Sequence, residues 1–130
     1  KEQGRVLGSL SLEDVVYTAE GLLAWAELGG QAADKEWAEG LIARAWADFF
    51  TDQGWKTATL TALPAMPRVR AMTDNPLPSP AALLIRLTAR LSPPPASARV
   101  TQALDLSAAP TRHSPFSFAG HVLALLTQPR

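Results

Sequence analysis

Ser11 to Gly30, SLEDVVYTAEGLLAWAELGG, carries apolar residues on two opposite sides of what its spacing marks as one helix. Leu12, Val15, Val16, Ala19, Leu22, Leu23 and Ala26 follow the three-and-four spacing of one buried helical face. Tyr17, Gly21, Ala24, Trp25 and Leu28 follow the same spacing on the other side, leaving a narrow stripe of Glu13, Glu20 and Glu27 beside a short patch of Asp14 and Thr18. A helix of this kind is expected to pack on both sides. Its ends are punctuated. Ser11 is placed to cap the first turn, with Asp14 reaching back and Glu13 and Asp14 at the positive end of the helix dipole, and Gly29 and Gly30 mark the stop.

The rest of the chain alternates between helices of this type and helices with one wet side. A second helix is expected from about Asp34, as cap, to Phe49, with Trp37, Ala38, Leu41, Ile42, Ala45, Trp46 and Phe49 on one wide arc and Glu36, Glu39, Arg44 and Asp48 outside it. Residues 50–78 lose the helical period. TDQG reads as a turn followed by WKTATLTAL, one arm of a short β-ribbon, and PAMPRVRAMTDNPLP reads as a long irregular connection. A third helix begins with Ser79 as cap and Pro80 at its first position and runs to about Leu91, apolar over most of its circumference, with Arg86 and Arg90 as its polar stripe. SPPP stops it. Ala96 to Ala108 reads as a one-sided helix with Val100, Ala103 and Leu104 inward and Arg99, Gln102 and Asp105 outward. A loop with Arg112 and His113 leads to Ser114 and Pro115, again a cap and a first position, and then to an apolar helix through Phe116, Phe118, Ala119, Val122, Leu123, Leu125 and Leu126.

Buried and half-buried helices thus alternate, as two concentric rings of antiparallel hairpins require. The expected fold is all-α, one helical domain over 1–130, built as a partial α/α toroid with inner and outer helices and one short β-ribbon. A closed ring needs more hairpins than are present here, so the chain is expected to be a piece of a larger toroid, or else a small open bundle. Lys at position 1 points to a trimmed product or a piece of a longer protein, with a disordered or cleaved start as the equal alternative.

Composition excludes several function classes. Twelve basic and twelve acidic residues give a formal net charge of zero without a run of either sign, so the electrostatic footprint of a nucleic-acid binder is missing. No apolar run is long enough to span a bilayer, and KEQGRVLGSL has no signal-peptide core, so the expected setting is cytoplasmic, away from membranes. With no cysteine there is no thiolate nucleophile, disulfide or cysteine metal site. No cofactor and no metal are expected, because His113 and His121 lack metal-ligand spacing to any partner.

Three stretches resemble a known family. SLEDVVYTAEGLLAWAEL, the Trp-containing second helix ending in DFFTDQGW, and RVRAMTDNPLPSPAALLIRLTARL are similar to the last part of the spermatogenesis-associated, thioredoxin-domain-containing proteins. That family joins a thioredoxin-like domain to an α/α toroid of the six-hairpin glycosidase type. Glu13, Asp14, Glu20, Gly21, Leu22 and Leu23 fit its first motif, an acidic pair, Tyr-Ala and Glu-Gly-Leu-Leu. Asp74, Pro78 and Ser79 fit its second, Asp-Gly-Ala-x-Pro-Ser-Gly-Asn. Here Asn75-Pro76 stands for the Gly-Ala and Pro80-Ala81 for the Gly-Asn, which removes a polar group at the mouth of an inner helix. The resemblance implies a toroid segment of sugar-processing type, lacking complete catalytic machinery of its own, with the remainder of the parent toroid or a second copy as partner and a carbohydrate as ligand. The alternative is a non-catalytic helical interaction or oligomerisation module.

The candidate catalytic residues are Asp14 and Asp74, because two carboxylates at the ends of inner-ring helices can serve as general acid and base on a sugar. Against that role stand a helix-capping acid for Asp14 and a turn former for Asp74. Candidate ligand-binding residues are Tyr17 and Glu20 on the first helix, Trp55 as a sugar platform in the connection, and Ser79, which is also a helix cap. Arg68 and Arg70 are an anion-binding alternative to two solvated loop charges.

Overall fold

The computed structural model describes residues 10–58, 71–91 and 98–128. Arg68, Arg70, most of the expected alternating arm beyond Ala58, the SPPP stop and the first nine residues lie outside them. The described residues are mostly helical: α1 (Leu12–Glu27), α2 (Ala32–Phe49), α3 (Pro80–Leu91), α4 (Ala98–His113) and α5 (Ala119–Leu126), with a 3-10 turn at Pro115–Phe118 and a ribbon of β1 (Phe50–Thr51) and β2 (Gly54–Trp55). None of these helices is long and apolar enough to cross a membrane.

α1 begins where Ser11 places its hydroxyl 3.1 Å from the Asp14 amide, which donates to it, and the Ser11 Oγ donates in turn to the Asp14 carboxylate at 2.6 Å. It ends as the two glycines require: Gly29 sits at φ +112°, and the Gly30 amide reaches back to the Trp25 carbonyl at 3.0 Å. α2 starts earlier than its sequence suggests. Gln31 is the cap and Asp34 lies inside the helix, its carboxylate accepting from the Gln31 amide at 2.8 Å in a capping box.

α1 and α2 form an antiparallel hairpin. α3 lies between that hairpin and α5, and α4 covers α5 and the 3-10 turn. This position explains why α3 is apolar almost all round: Pro80 to Ile85 and Leu87 are all buried. The core is continuous through Leu12, Val16 and Leu23 of α1, Ile42 and Phe49 of α2, and Leu84, Ile85 and Leu87 of α3.

The ribbon pairs Phe50 with Trp55 and Thr51 with Gly54 across a turn at Asp52–Gln53, as TDQG predicts, with Gly54 taking φ +105°. The chain then runs past α1, where Leu12 donates to the Thr57 carbonyl at 3.0 Å and Ser11 forms a bridge with Ala58. Phe50 and Trp55 close on Trp46, with ring centroids 4.7 to 5.3 Å apart. The Trp46 indole donates to Thr88 on α3 at 2.9 Å, which ties the ribbon's cluster to the central helix.

Two expectations about faces are corrected. The second face of α1 is open: Gly21 and Ala24 are exposed, Trp25 is 61% exposed and Leu28 84%. The last helix is also open on one side, with Phe116 94% and Leu126 75% exposed, while His121 and Ala124 alone are buried within α5. In each case the pattern marks apolar surface, and the described chain supplies a neighbour for one side only. Trp37, placed on the inward arc of α2, is likewise exposed. α4 continues through Pro110 to His113, so Arg112 and His113 lie in its last turn instead of a loop. A proline near a helix end forfeits a single ladder bond, and here the Ser114 amide donates to the Pro110 carbonyl at 3.0 Å to close the end.

Candidate functional site

The turn from Ala71 to Ser79 is where the second sequence motif meets α1 and α5. Ser79 performs the capping role its sequence context predicts. It is fully buried, accepts from the Ala82 amide at 3.1 Å and donates to the Ala71 carbonyl at 2.9 Å, so its hydroxyl is committed to backbone on both sides.

Asp74 is a clamp. One carboxylate oxygen accepts from the Ser79 amide at 2.6 Å, and the other accepts from the Gly120 amide at 2.7 Å. Its own amide donates to the Ser117 carbonyl at 3.0 Å. The side chain therefore satisfies free amides at the starts of both α3 and α5, where negative charge also suits the helix dipoles. Gly120 is required for this approach: a Cβ there would stand 2.7 Å from the Asp74 Oδ1 and 3.2 Å from the Ala82 Cβ. Gly120→Ala is expected to destabilise the fold by about 1–3 kcal/mol, the usual result of overpacking. Chemical denaturation of the two proteins checks it.

Tyr17 reaches the same turn from α1 and donates its hydroxyl to the Pro78 carbonyl. Partial burial raises its pKa, and the charges of Glu13, Glu20 and Asp74 raise it further. These carboxylates thus surround the tyrosine from α1 and from the turn. Beneath the clamp lies His121, fully buried, with neither ring nitrogen in a hydrogen bond. Burial lowers its pKa to about 4, opposed by the charge of Asp74 and by the nearby Met72 backbone. Burial outweighs both.

A polar groove of about 390 Å³ opens beside this cluster, lined by Glu13, Thr73, Asn75, Pro76, Leu77 and Pro78 among others. Neither Asp14 nor Asp74 is among its lining residues. Asp14 is an exposed cap: its carboxylate is held by Ser11 and its carbonyl by the Thr18 hydroxyl at 2.6 Å. Glu20 is half-buried on the Tyr17 side of α1. The structure therefore brings Tyr17, Glu20, Asp74 and Ser79 to one place and leaves Asp14 at its helix cap. Trp55 is elsewhere. It is 1% exposed and packed between Phe50 and Trp46, so it is a core residue with no face open to a sugar, which corrects its reading as a platform.

Sequence reasoning missed Glu13 as a groove residue, and Gly120 and His121 as the far side of the clamp. Glu13 looked like a dipole acid, and nothing local ties positions 120 and 121 to position 74. No group of three or more His, Cys, Asp or Glu stands in a metal-holding arrangement among the described residues.

Fold and site together define an all-α protein of helical hairpins with a short β-ribbon, in which a carboxylate joins the N-termini of two helices. No family model, curated protein or solved structure matches the chain.

Proposed function

We propose that the chain is a helical-hairpin segment of a larger α/α toroid resembling sugar-processing enzymes, without complete catalytic machinery of its own. The observation that carries this reading is the pair of open apolar faces among the described residues, Trp25 of α1 with its cap Leu28, and Phe116 of the 3-10 turn with Leu126 of α5, which are 61%, 84%, 94% and 75% exposed. They lie on helices whose sequences assign them to an inner ring, and covering them is what further hairpins of the same toroid would do. The chemistry points the same way. The candidate acid–base pair is committed elsewhere: Asp74 holds the Ser79 and Gly120 amides, Asp14 is held by Ser11, and neither lines the groove, which is not how two carboxylates flank a glycosidic bond.

The chain by itself is expected to bind an environment-sensitive apolar dye, and the double variant Trp25→Glu, Leu28→Glu to lower that signal severalfold while circular dichroism stays unchanged. A wild-type chain that is monomeric and leaves the dye dark would remove the basis of the reading. Oligosaccharide hydrolysis by the chain alone would contradict its second half. The alternative, a module that associates with its own copies, predicts a concentration-dependent dimer abolished by the same double variant.

A further inference from the structure

We propose that His121 is the acid trigger of a latch: once protonated, it draws the Asp74 carboxylate away from the Ser79 and Gly120 amides and releases the turn 74–79 from α5. The geometry places the parts together. Gly120, whose amide holds one Asp74 oxygen at 2.7 Å, is the immediate neighbour of His121. The imidazole is fully enclosed, lies edge-on to the Phe118 ring with centroids 6.1 Å apart, and has no hydrogen bond at either nitrogen. A second proton there creates a buried cation with two donors, favoured among the described residues by the Asp74 charge and the Met72 backbone and opposed by burial. Asp74 is the charge acting on it; the charged and titratable groups on the two helices packed against α5 are Arg86 and Arg90 of α3 and Arg99, Asp105, Arg112 and His113 of α4.

The cation can be relieved by pairing with Asp74, which costs the two amide bonds, or by water entering under α5. Both routes open the same joint. The opening is local because α5 is shallowly held: Leu123, Leu125 and Leu126 face outward, and only His121 and Ala124 of this helix are buried. The α1–α2 hairpin and α3 keep a core in which α5 shares only Ala124. The direction in pH follows from the lowered pKa. The closed state favours neutral imidazole, so the latch is fully closed above the ordinary value of 6.5 and loosens as pH falls, the change completing near 4. At pH 5 this linkage multiplies the open population roughly twentyfold relative to neutral pH.

The test is an NMR titration of the intact chain from neutral pH down through about pH 4, following the His121 ring and amide-exchange protection together. The expected result is a shared midpoint for His121 protonation and loss of protection at Ser79 and Gly120, with α1 and α2 amides still protected. Retained protection at Ser79 and Gly120 after His121 is protonated would overturn the proposal, and so would simultaneous loss across all helices. His121→Phe removes the proton site and keeps a ring beside Phe118; its latch is expected to stay closed to lower pH. Opening at the wild-type pH in that variant would make another group the sensor and would also overturn the proposal. Should H121F not fold, the shared midpoint in the wild type decides alone.

Discussion

Asp74→Ala is expected to lower the stability of this protein by about 3–5 kcal/mol, because it removes two charge-assisted hydrogen bonds and leaves two helix-end amides without an acceptor. The Ser79 amide loses its partner at 2.6 Å and the Gly120 amide its partner at 2.7 Å. Asp74→Asn keeps one acceptor oxygen and turns the other position into a donor facing an amide, so it falls between wild type and alanine. Urea unfolding gives the midpoint shift for each variant. If Asp74→Ala unfolded at the wild-type midpoint while sugar binding or turnover was lost, Asp74 would be a site residue and its clamp role incidental. The comparison matters because the sequence makes Asp74 a catalytic candidate as one of two carboxylates expected at the ends of inner-ring helices.

Trp55→Ala carries a loss of comparable size, about 3–5 kcal/mol, the range for truncating a buried aromatic to alanine. Its indole fills the space between Phe50 and Trp46, with centroids 4.7 and 5.3 Å away, and Trp46 in turn bonds Thr88 of α3. Trp55→Phe is expected to cost clearly less, since the indole N–H is buried without a partner and its removal frees no other group. A thermal melt of the three proteins checks the order. Equal melting temperatures for Trp55→Ala and wild type would mean that this cluster does not support the hairpin.

The two residues show how local and distant information divide. Ser79 and Pro80 were legible as cap and first helical position because capping depends on groups within three or four residues. The Gly29 stop and the TDQG turn were legible for the same reason, since a positive φ or a tight reversal is written in adjacent residues. Trp55 was misread because a tryptophan after a turn has no helical period to mark it as core. What buries it is the fold-back of a two-residue strand onto α2, a contact between segments rather than a pattern within one. The start of α2 was displaced for a smaller reason: aspartate suits both the cap and the third helical position, and only the Gln31 amide decides between them.

The candidate site divides in the same way. Spacing along α1 put Tyr17 and Glu20 near one another, and the turn motif put Asp74 near Ser79. That these pairs meet depends on α1 and α3 packing side by side, which lets the Tyr17 hydroxyl reach Pro78. His121 and Gly120 join only because α5 packs on α3, placing position 120 against position 74.

The sequence by itself determined the helices, most of their ends and which sides are apolar, because these follow from a short-range period and from the capping chemistry of neighbouring residues. Tertiary structure alone decided which apolar sides find a neighbour within the chain. Among the described residues α3 is enclosed on both sides, whereas the second side of α1 and the outer side of α5 remain open. It also turned Asp74 from an acid of uncertain role into the joint between two helices, since a carboxylate's work depends on which amides or protons lie within about 3 Å of it, whatever their distance along the chain.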